Sequence, residues 1–295
     1  SYRCLYLIMV CSFMKISNIV SRKNRILLRE LVITDFKLRY QGSVLGYLWS
    51  LLKPLLLFAI LYVVFVNFLK IGANIEHYAV YLLLGVVMWS FFTEATGQGM
   101  QAIVSRGDLI RKINFPKYII VVSGTLSALI NLILNLLVVF IFVLINGVAI
   151  HWTILLLPFI ILELYVLSLA IAFFLAAIYV KYRDVSHIWE VFLQGAFYAT
   201  PILYPVQTLA GPTVFTAAEA LASQHHWVAQ LLMLNPIAMI IQDARYASIT
   251  HQTITTGQLF SNPLLLALPY VIILLIIIGA TLYFKKQQKY FAENV

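Results

Sequence analysis

The side chains that could do chemistry in this chain are few and scattered. Only two of the six histidines are adjacent, His225 and His226, and neighbours in sequence do not face one metal site on a helix. The two cysteines, Cys4 and Cys11, both lie in the N-terminal tail and suggest neither a disulfide framework nor a zinc site. The 11 acidic residues are dispersed along the chain. The sequence therefore predicts no metal site and no catalytic constellation.

Motifs for nucleotide and hydrolytic chemistry are also absent from the sequence. It contains no GxxxxGK[ST] phosphate loop and no GxGxxG, HExxH, GxSxG or CxxC motif. We therefore expect no cofactor in this chain and no ATP hydrolysis by it. Any process that requires energy would have to draw it from a gradient or from a partner.

The composition sets the kind of element that must position these side chains. Hydrophobic residues make up 62% of the chain and charged residues 11%, and the mean hydropathy is +0.94. A soluble domain carries roughly 25% charged residues. This chain cannot cover itself with a wetted surface, so the bilayer must be its solvent. Its net charge of +9 would suit a nucleic acid, but an excess of Lys and Arg in a membrane protein usually marks cytoplasmic loops. We expect no nucleic-acid partner.

Six apolar segments approach the length of about 20 residues that a helix needs to cross a bilayer. They are residues 48–69, 79–98, 118–145, 153–180, 187–206 and 263–284. The fifth is the weakest, because Gln194, Gly195 and two prolines interrupt it. The sequence predicts an all-α polytopic membrane protein with a single transmembrane domain over residues 25–290. Residues 1–24 are expected to form a tail that could lie at the interface, and residues 291–295 a cytoplasmic tail.

Most basic residues lie next to those ends of the segments that would share one side of the membrane. Eight precede the first span, four lie between the second and third, two between the fourth and fifth, and three follow the sixth. Only Lys70 and Arg245 fall on the other side, with Lys53 just inside the first span. By the positive-inside rule, both termini are cytoplasmic. From Arg22 to Tyr40, basic and apolar residues mix in a pattern typical of a helix at the cytoplasmic interface.

One carboxylate is predicted to lie deep in the membrane. Glu163 is ~16 Å from the external end of the fourth span, and Asn135 lies about equally deep in the third, on the same helical face as Asn131. An intramembrane carboxylate is costly and usually functional. Here we expect Glu163 to hydrogen-bond Asn135 across the hairpin of spans three and four as a structural contact.

Four stretches, in this order, resemble one family. They are "RYQGSVLGYLWSLLKP" at the first span, "RGDLIRKINFPKYIIV" between the second and third, "YRDVSHIWEVFLQGAFYATPILYPV" at the fifth and "NPIAMIIQDARY" before the sixth. They resemble the corresponding segments of ABC-2 type permeases, in the branch that exports polysaccharide and teichoic acid. The resemblance covers roughly residues 25–290, and the stretch near residues 209–226 is longer than is usual in that family.

The resemblance implies a transport subunit rather than an enzyme. Members of this family are homodimers of six-span subunits in the bacterial plasma membrane, with short re-entrant helices before the last span. Two separate cytoplasmic ATPase subunits bind ATP and Mg²⁺. Together they move a lipid-linked glycan, such as O-antigen, capsule or teichoic acid, from the cytoplasmic leaflet to the outer face.

Three groups of site residues follow from the resemblance. The expected substrate gate comprises Lys37, Arg39, Tyr40, Gly42, Leu45, Gly46 and Trp49. The expected docking surface for the ATPase comprises Arg106, Asp108, Leu109, Ile110, Arg111 and Lys112. The candidate channel aromatics are Tyr47, Tyr62, Phe65, Trp189, Phe192, Phe197, Tyr198 and Tyr204.

Each group also has a simpler interpretation. Lys37 and Arg39 could meet the lipid diphosphate of a substrate or anchor to anionic headgroups. The docking surface would be a short helix that buries Leu109, Ile110 and Ile113 and exposes its charged residues, or only a solvated basic loop. The aromatic rings could line a channel, form interfacial belts or pack against lipid.

Three other functions remain open at the level of the sequence. An ABC-2 exporter of a small lipid or drug is opposed only by the four matching stretches. A membrane-embedded glycan-processing enzyme would need an acidic metal-binding motif or a clustered catalytic set. A gradient-driven transporter would show inverted repeats and paired intramembrane charges.

Overall fold

A computed structural model of the chain describes residues 22–40, 46–69, 76–113, 115–206, 226–260 and 263–291. Within these ranges the regular structure is helical and no strand occurs. The α-helices are α1 (Arg22–Tyr40), α2 (Trp49–Tyr62), α3 (Tyr78–Ser105), α4 (Gly107–Lys112), α5 (Tyr118–Ile145), α6 (Leu157–Tyr179), α7 (Val185–Ala199), α8 (His226–Met233), α9 (Pro236–Ser248), α10 (Thr256–Leu259) and α11 (Pro263–Gln287). A π-helical stretch, Val63–Phe68, extends α2. The predicted all-α class is confirmed.

Five helical segments among the described residues are long and apolar enough to cross a membrane. They are Trp49–Phe68, Tyr78–Ser105, Tyr118–Ile145, Trp152–Tyr179 and Leu264–Tyr290. These five segments correspond to the first four predicted spans and the last one. The chain is an integral membrane protein. The second segment continues as a helix to Ser105, well beyond the predicted end at residue 98.

The segment predicted as the fifth span, residues 187–206, is not one continuous helix. α7 has 15 residues, which gives a length of about 22 Å, whereas the hydrocarbon core is roughly 30 Å thick. The backbone of Thr200 is extended, with ψ 135°, because Pro201 disfavours a helical conformation of the residue before it. Residues 201–206 then form turns, and most of them are buried.

A sharply bent pair of helices, α8 and α9, precedes the last span. Trp227–Met233 and Pro236–Ser248 meet at 96°. Asn235 lies at the bend, where its Oδ1 accepts a hydrogen bond from the backbone N–H of Ile237 at 3.0 Å and caps α9. Pro236 occupies the first turn, where its missing N–H has no cost. The pair has the shape expected of the short re-entrant helices predicted before the last span.

α3 lies at the centre of the structure. In its most apolar stretch 78% of residues are buried, against 11% in the first membrane segment and 22% in the last. α3 packs mainly against α5 and α6, while α1 packs against α5 and α11 against α6. Gly99 permits the close approach of α3 and α6, since an added Cβ would lie 2.5 Å from the Cβ of Ala172.

Arg245 of α9 is fully buried and connects three parts of the fold. Its Nε donates to the carbonyl of Tyr81 at 3.1 Å, Nη1 to that of Pro201 at 2.7 Å and Nη2 to that of Ile202 at 2.8 Å. The guanidinium also lies 3.6 Å from the ring centroid of Tyr81. We call these residues, with Gly85 beside them, the Arg245 cluster. It holds α9 and the turn after α7 against α3.

Candidate functional site

A groove with a volume of about 950 Å³ lies between α2, α3, α5 and α7. The α3 residues that line it range from Val87 to Gln101, which corresponds to about 21 Å along the helix axis. Ligand sites in proteins usually enclose about 300–1,000 Å³. The groove is therefore large enough for a ligand, and its length along α3 is about two thirds of the roughly 30 Å thickness of a bilayer core.

One face of α3 supplies the polar wall of the groove. Ser90, Glu94, Gln98 and Gln101 recur at helical spacing along it. Oε1 of Glu94 accepts a hydrogen bond from Nε2 of Gln98 at 2.8 Å and another from Nδ2 of Asn131 on α5 at 2.7 Å. These two bonds hold the Glu94 carboxylate in a fixed position within the groove.

The structure corrects the hydrogen bond predicted between Asn135 and Glu163. Nδ2 of Asn135 donates to the carbonyl of Ser50 at 3.2 Å and to that of Asn131 at 2.8 Å. Because α5 packs chiefly on α3, its polar face turns toward that helix and meets Glu94 through Asn131. Glu163 is buried on α6, and the amide of Asn131 on this polar face meets the carboxylate of Glu94 on α3.

Aromatic side chains of α7 form a second wall. Trp189, Phe197 and Tyr198, three of the candidate channel aromatics, line the groove. The indole Nε1 of Trp189 donates to Oγ1 of Thr96 at 3.1 Å, which fixes the ring against α3. Phe192 stacks on Trp189 with centroids 5.0 Å apart and is itself 55% exposed. Tyr204 lies beyond the helix.

The candidate aromatics on α2 divide between the groove and the packing of the helix. Trp49 lines the groove. Tyr62 lies against Phe58, with ring centroids 5.7 Å apart, and Phe65 is half-buried against the core. The side chain of Tyr47 lies outside the described part of the structure. Two aromatic residues of α3 that the sequence did not single out, Trp89 and Phe91, also line the groove.

The residues of the predicted gate precede α2, except Trp49, which is its first residue. Lys37 is exposed on α1. Gly46 has φ +48°, in the left-handed region that favours glycine, and it begins the 3₁₀ turn that leads into α2. Gly42 and Leu45, and the side chains of Arg39 and Tyr40, lie outside the described residues.

α4 forms the short helix expected of the docking surface. Asp108, Arg111 and Lys112 are exposed, and Ile110 is buried at 6% exposure with Leu109 half-buried. The side chain of Ile113 is 53% exposed. The prediction that Ile113 is buried was wrong, because α4 ends at Lys112 and residue 113 has an extended backbone.

Arg106 does not share the exposed surface of α4. Its guanidinium forms an ion pair with Asp35 of α1 and donates to Oγ of Ser123 on α5 at 2.9 Å. The same Ser123 hydroxyl lies 3.3 Å from Oδ2 of Asp35. Burial lowers the pKa of Arg106. This Asp35–Arg106–Ser123 cluster joins α1, α5 and the turn before α4, so Arg106 makes an internal contact that Arg111 and Lys112 do not share.

The sequence analysis did not identify Glu94 as a site residue, although the sequence contains a pattern that marks it. The polar residues Glu94, Gln98 and Gln101 follow one helical face in an otherwise apolar stretch. The predicted end of the span at residue 98 placed Glu94 near the membrane boundary. Since α3 continues to Ser105, Glu94 lies ~16 Å from that end. Among the residues that the structure describes, no three His, Cys, Asp or Glu side chains are grouped to hold a metal ion.

Comparison with known proteins identifies the family. The model of the family described as ABC-2 type transporter matches residues 26–247, which is most of the chain. The chain belongs to this family. The resemblance seen in four stretches of the sequence is confirmed, as is the prediction that the chain is a transport protein and not an enzyme.

Several relatives of this ABC-2 type transporter carry a more specific name. The O-antigen export system permease protein RfbA of Myxococcus xanthus is 34% identical over 183 residues, which cover 62% of this chain and 70% of that protein. Two proteins of the same name from Klebsiella pneumoniae are each 24% identical over 209 residues, which cover 70% of this chain and 74% of theirs.

Proposed function

We propose that this chain is the membrane-spanning subunit of an ATP-driven exporter that moves a lipid-linked polysaccharide across the bacterial plasma membrane. The relatives named as O-antigen export permeases support this substrate class. The observation that carries the proposal is the groove, whose wall combines indole and phenol rings with amides and carboxylates. Aromatic faces pack against the C–H faces of sugars, and the polar groups can bond their hydroxyls.

The functional unit in this proposal is a homodimer, with one groove from each copy. Lys53, Glu94 and Glu190 line the groove, and charged groups in contact with lipid are costly. A second copy over the open side would remove these groups from lipid. α7 borders the groove and has no buried residue, which makes it the surface available for that contact.

ATP hydrolysis belongs, in this proposal, to two separate cytoplasmic subunits that bind ATP and Mg²⁺. The chain has no phosphate loop of its own. α4 supplies the docking surface, since Asp108, Arg111 and Lys112 project from it while Ile110 anchors it to the core. The exposed basic residues of α1 and α4 support a cytoplasmic location for both helices, and with them for both termini.

Reconstitution with the ATPase subunit tests the proposal. The chain and its ATPase would be placed in vesicles whose outer leaflet carries a lipid-diphosphate-linked oligosaccharide, with ATP supplied on the side of α4. We expect a complex of two copies of each subunit, and ATP-dependent loss of the glycan from lectin binding outside the vesicle. A chain that moves the glycan without nucleotide or ATPase would overturn the proposal.

A charge reversal tests the docking surface separately. The double substitution Arg111→Glu and Lys112→Glu should abolish co-purification of the ATPase, because two basic contacts become repulsive. The matched control reverses another adjacent, exposed basic pair, Lys285 and Lys286 of α11, and should retain the ATPase. Equal retention by both variants would exclude α4 as the docking surface.

A further inference from the structure

The described lining of the groove carries more negative than positive charge. Lys53 on α2 is its one basic side chain, whereas Glu94 on α3 and Glu190 on α7 are acidic. Amide side chains supply most of its remaining polar groups: Gln98, Gln101, Asn131, Asn135 and Gln194. The lining thus offers many hydrogen-bonding groups and few cations.

The two carboxylates lie on different walls of the groove. Glu94 is half-buried and held by its hydrogen bonds from Gln98 and Asn131. Glu190 is exposed and follows Trp189, whose ring lines the same wall. A chain that passes through the groove would therefore meet acidic side chains on both sides.

We propose that the groove selects a glycan whose repeating units are uncharged, and that Glu94 and Glu190 disfavour polyanionic chains. This inference rests on the proposed function and narrows its substrate class. Two copies would double the excess of carboxylates. Like charges in a site shielded from water repel each other more strongly and are screened less by salt than on a surface.

The carboxylates act against charge in the repeating units and not against charge in the lipid anchor. A diphosphate at the anchor passes the wall once, whereas a phosphate or carboxylate in every repeat would face the acidic side chains throughout transport. A neutral sugar meets no such repulsion, because carboxylates accept hydrogen bonds from its hydroxyls and amides both donate and accept them.

A competition between two substrates tests the inference. Vesicles with the chain and its ATPase would carry two oligosaccharides of equal length on the same lipid diphosphate, one neutral and one with a uronic acid in each repeat. ATP-dependent transport of both would be measured together. We expect the wild type to prefer the neutral substrate, and Glu190→Gln to shift the ratio toward the acidic one by about threefold to tenfold.

Further variants test whether the charge of the groove side chains, and not their shape, sets the ratio of the two substrates. Glu94→Gln should shift the ratio in the same direction, and Gln194→Glu, which adds a carboxylate to the lining, in the opposite direction. Glu76→Gln removes an exposed carboxylate outside the groove and should leave the ratio unchanged. Because Glu190 is exposed on a helix without buried residues, its variant should fold even if the Glu94 variant does not.

The outcomes distinguish failure of the inferred charge selection from failure of the proposed function on which it rests. If the wild type transports both substrates equally, or if Glu190→Gln leaves the ratio unchanged while the neutral substrate still moves, charge selection is refuted and the exporter stands. If the wild type transports neither substrate in the presence of ATP and ATPase, the proposed function itself is overturned.

Discussion

At the scale of single residues, Arg245 lies near one end of the groove. Its charge is compensated by three carbonyl oxygens and the ring of Tyr81. Gly85 leaves room for the guanidinium and is only two residues from Val87, where the groove lining on α3 begins. The buried turn of residues 201–206 is held at the same place. The Arg245 cluster therefore lies just beyond the end of the groove lining that is away from α4.

Replacing Gly85 tests this packing. A Cβ at this position would lie 2.2 Å from Nη2 of Arg245, so Gly85→Ala must displace a buried charged group from its hydrogen bonds. We expect it to lower the free energy of unfolding by about 1–3 kcal/mol, measured by thermal unfolding in detergent. Gly97→Ala, in the same helix with nothing within 4 Å of the added Cβ, is the control and should be neutral or stabilising.

A glycine just before a predicted span can be recognised in the sequence, and Gly46 has a left-handed backbone that non-glycine residues resist. The partner of Asn135 could not be predicted, because α5 is apolar on nearly all sides and its periodicity does not say which neighbour its polar face meets. The hydrogen bond from Asn131 to Glu94 follows from the packing of α5 on α3, which is seen only in the structure.

At the scale of elements, the Asp35–Arg106–Ser123 cluster explains an irregularity in α1. Asp35 lies near the Leu28 and Val32 face of the helix, where a charged residue disturbs the amphipathic pattern. The structure shows that this face packs on α5 and that Asp35 meets Arg106 there. The cluster connects α1 to the turn that leads into α4.

Removing one charge of the cluster should destabilise the contact of α1 with α5. Asp35→Asn leaves the partly buried Arg106 without its counter-charge, and we expect a loss of about 1–2 kcal/mol, measured by thermal unfolding. Glu30→Gln, an exposed substitution on the same helix, is the control and should have little effect. If Asp35→Asn is as stable as the control, the ion pair contributes nothing to the position of α1.

The boundaries of the elements were predictable where the sequence changes character sharply. The basic and apolar segment Arg22–Tyr40 forms one helix over the predicted range. The end of α3 was misplaced because its polar residues face the groove and resemble a loop in the sequence. The segment 187–206 was predicted as one span because its apolar content hides the break at Pro201.

At the scale of the whole molecule, a single copy leaves the polar wall of the groove uncovered. The helices at its two edges are among the least buried, since α7 has no buried residue and the α2 segment is 11% buried in its apolar stretch. A bilayer cannot hydrogen-bond to exposed amides and carboxylates. The packing therefore favours a second copy that approaches along α2 and α7.

Cross-linking locates this contact. In a chain whose Cys4 and Cys11 are replaced by Ser, a cysteine would be introduced at Val191 of α7, which is 69% exposed. A short bis-maleimide added to membranes should then yield a species of about twice the 33.5 kDa mass of the chain, because equivalent positions meet across a two-fold axis.

The matched control places the cysteine at Leu275 of α11, which is 62% exposed on another membrane helix. There the chain should remain monomeric on a denaturing gel, since lipid and not a second copy would cover that face. The reverse result, with cross-linking at Leu275 and none at Val191, would place the dimer contact on α11. The groove would then face lipid. Its charged lining could no longer be explained as one half of a substrate path that two copies form together.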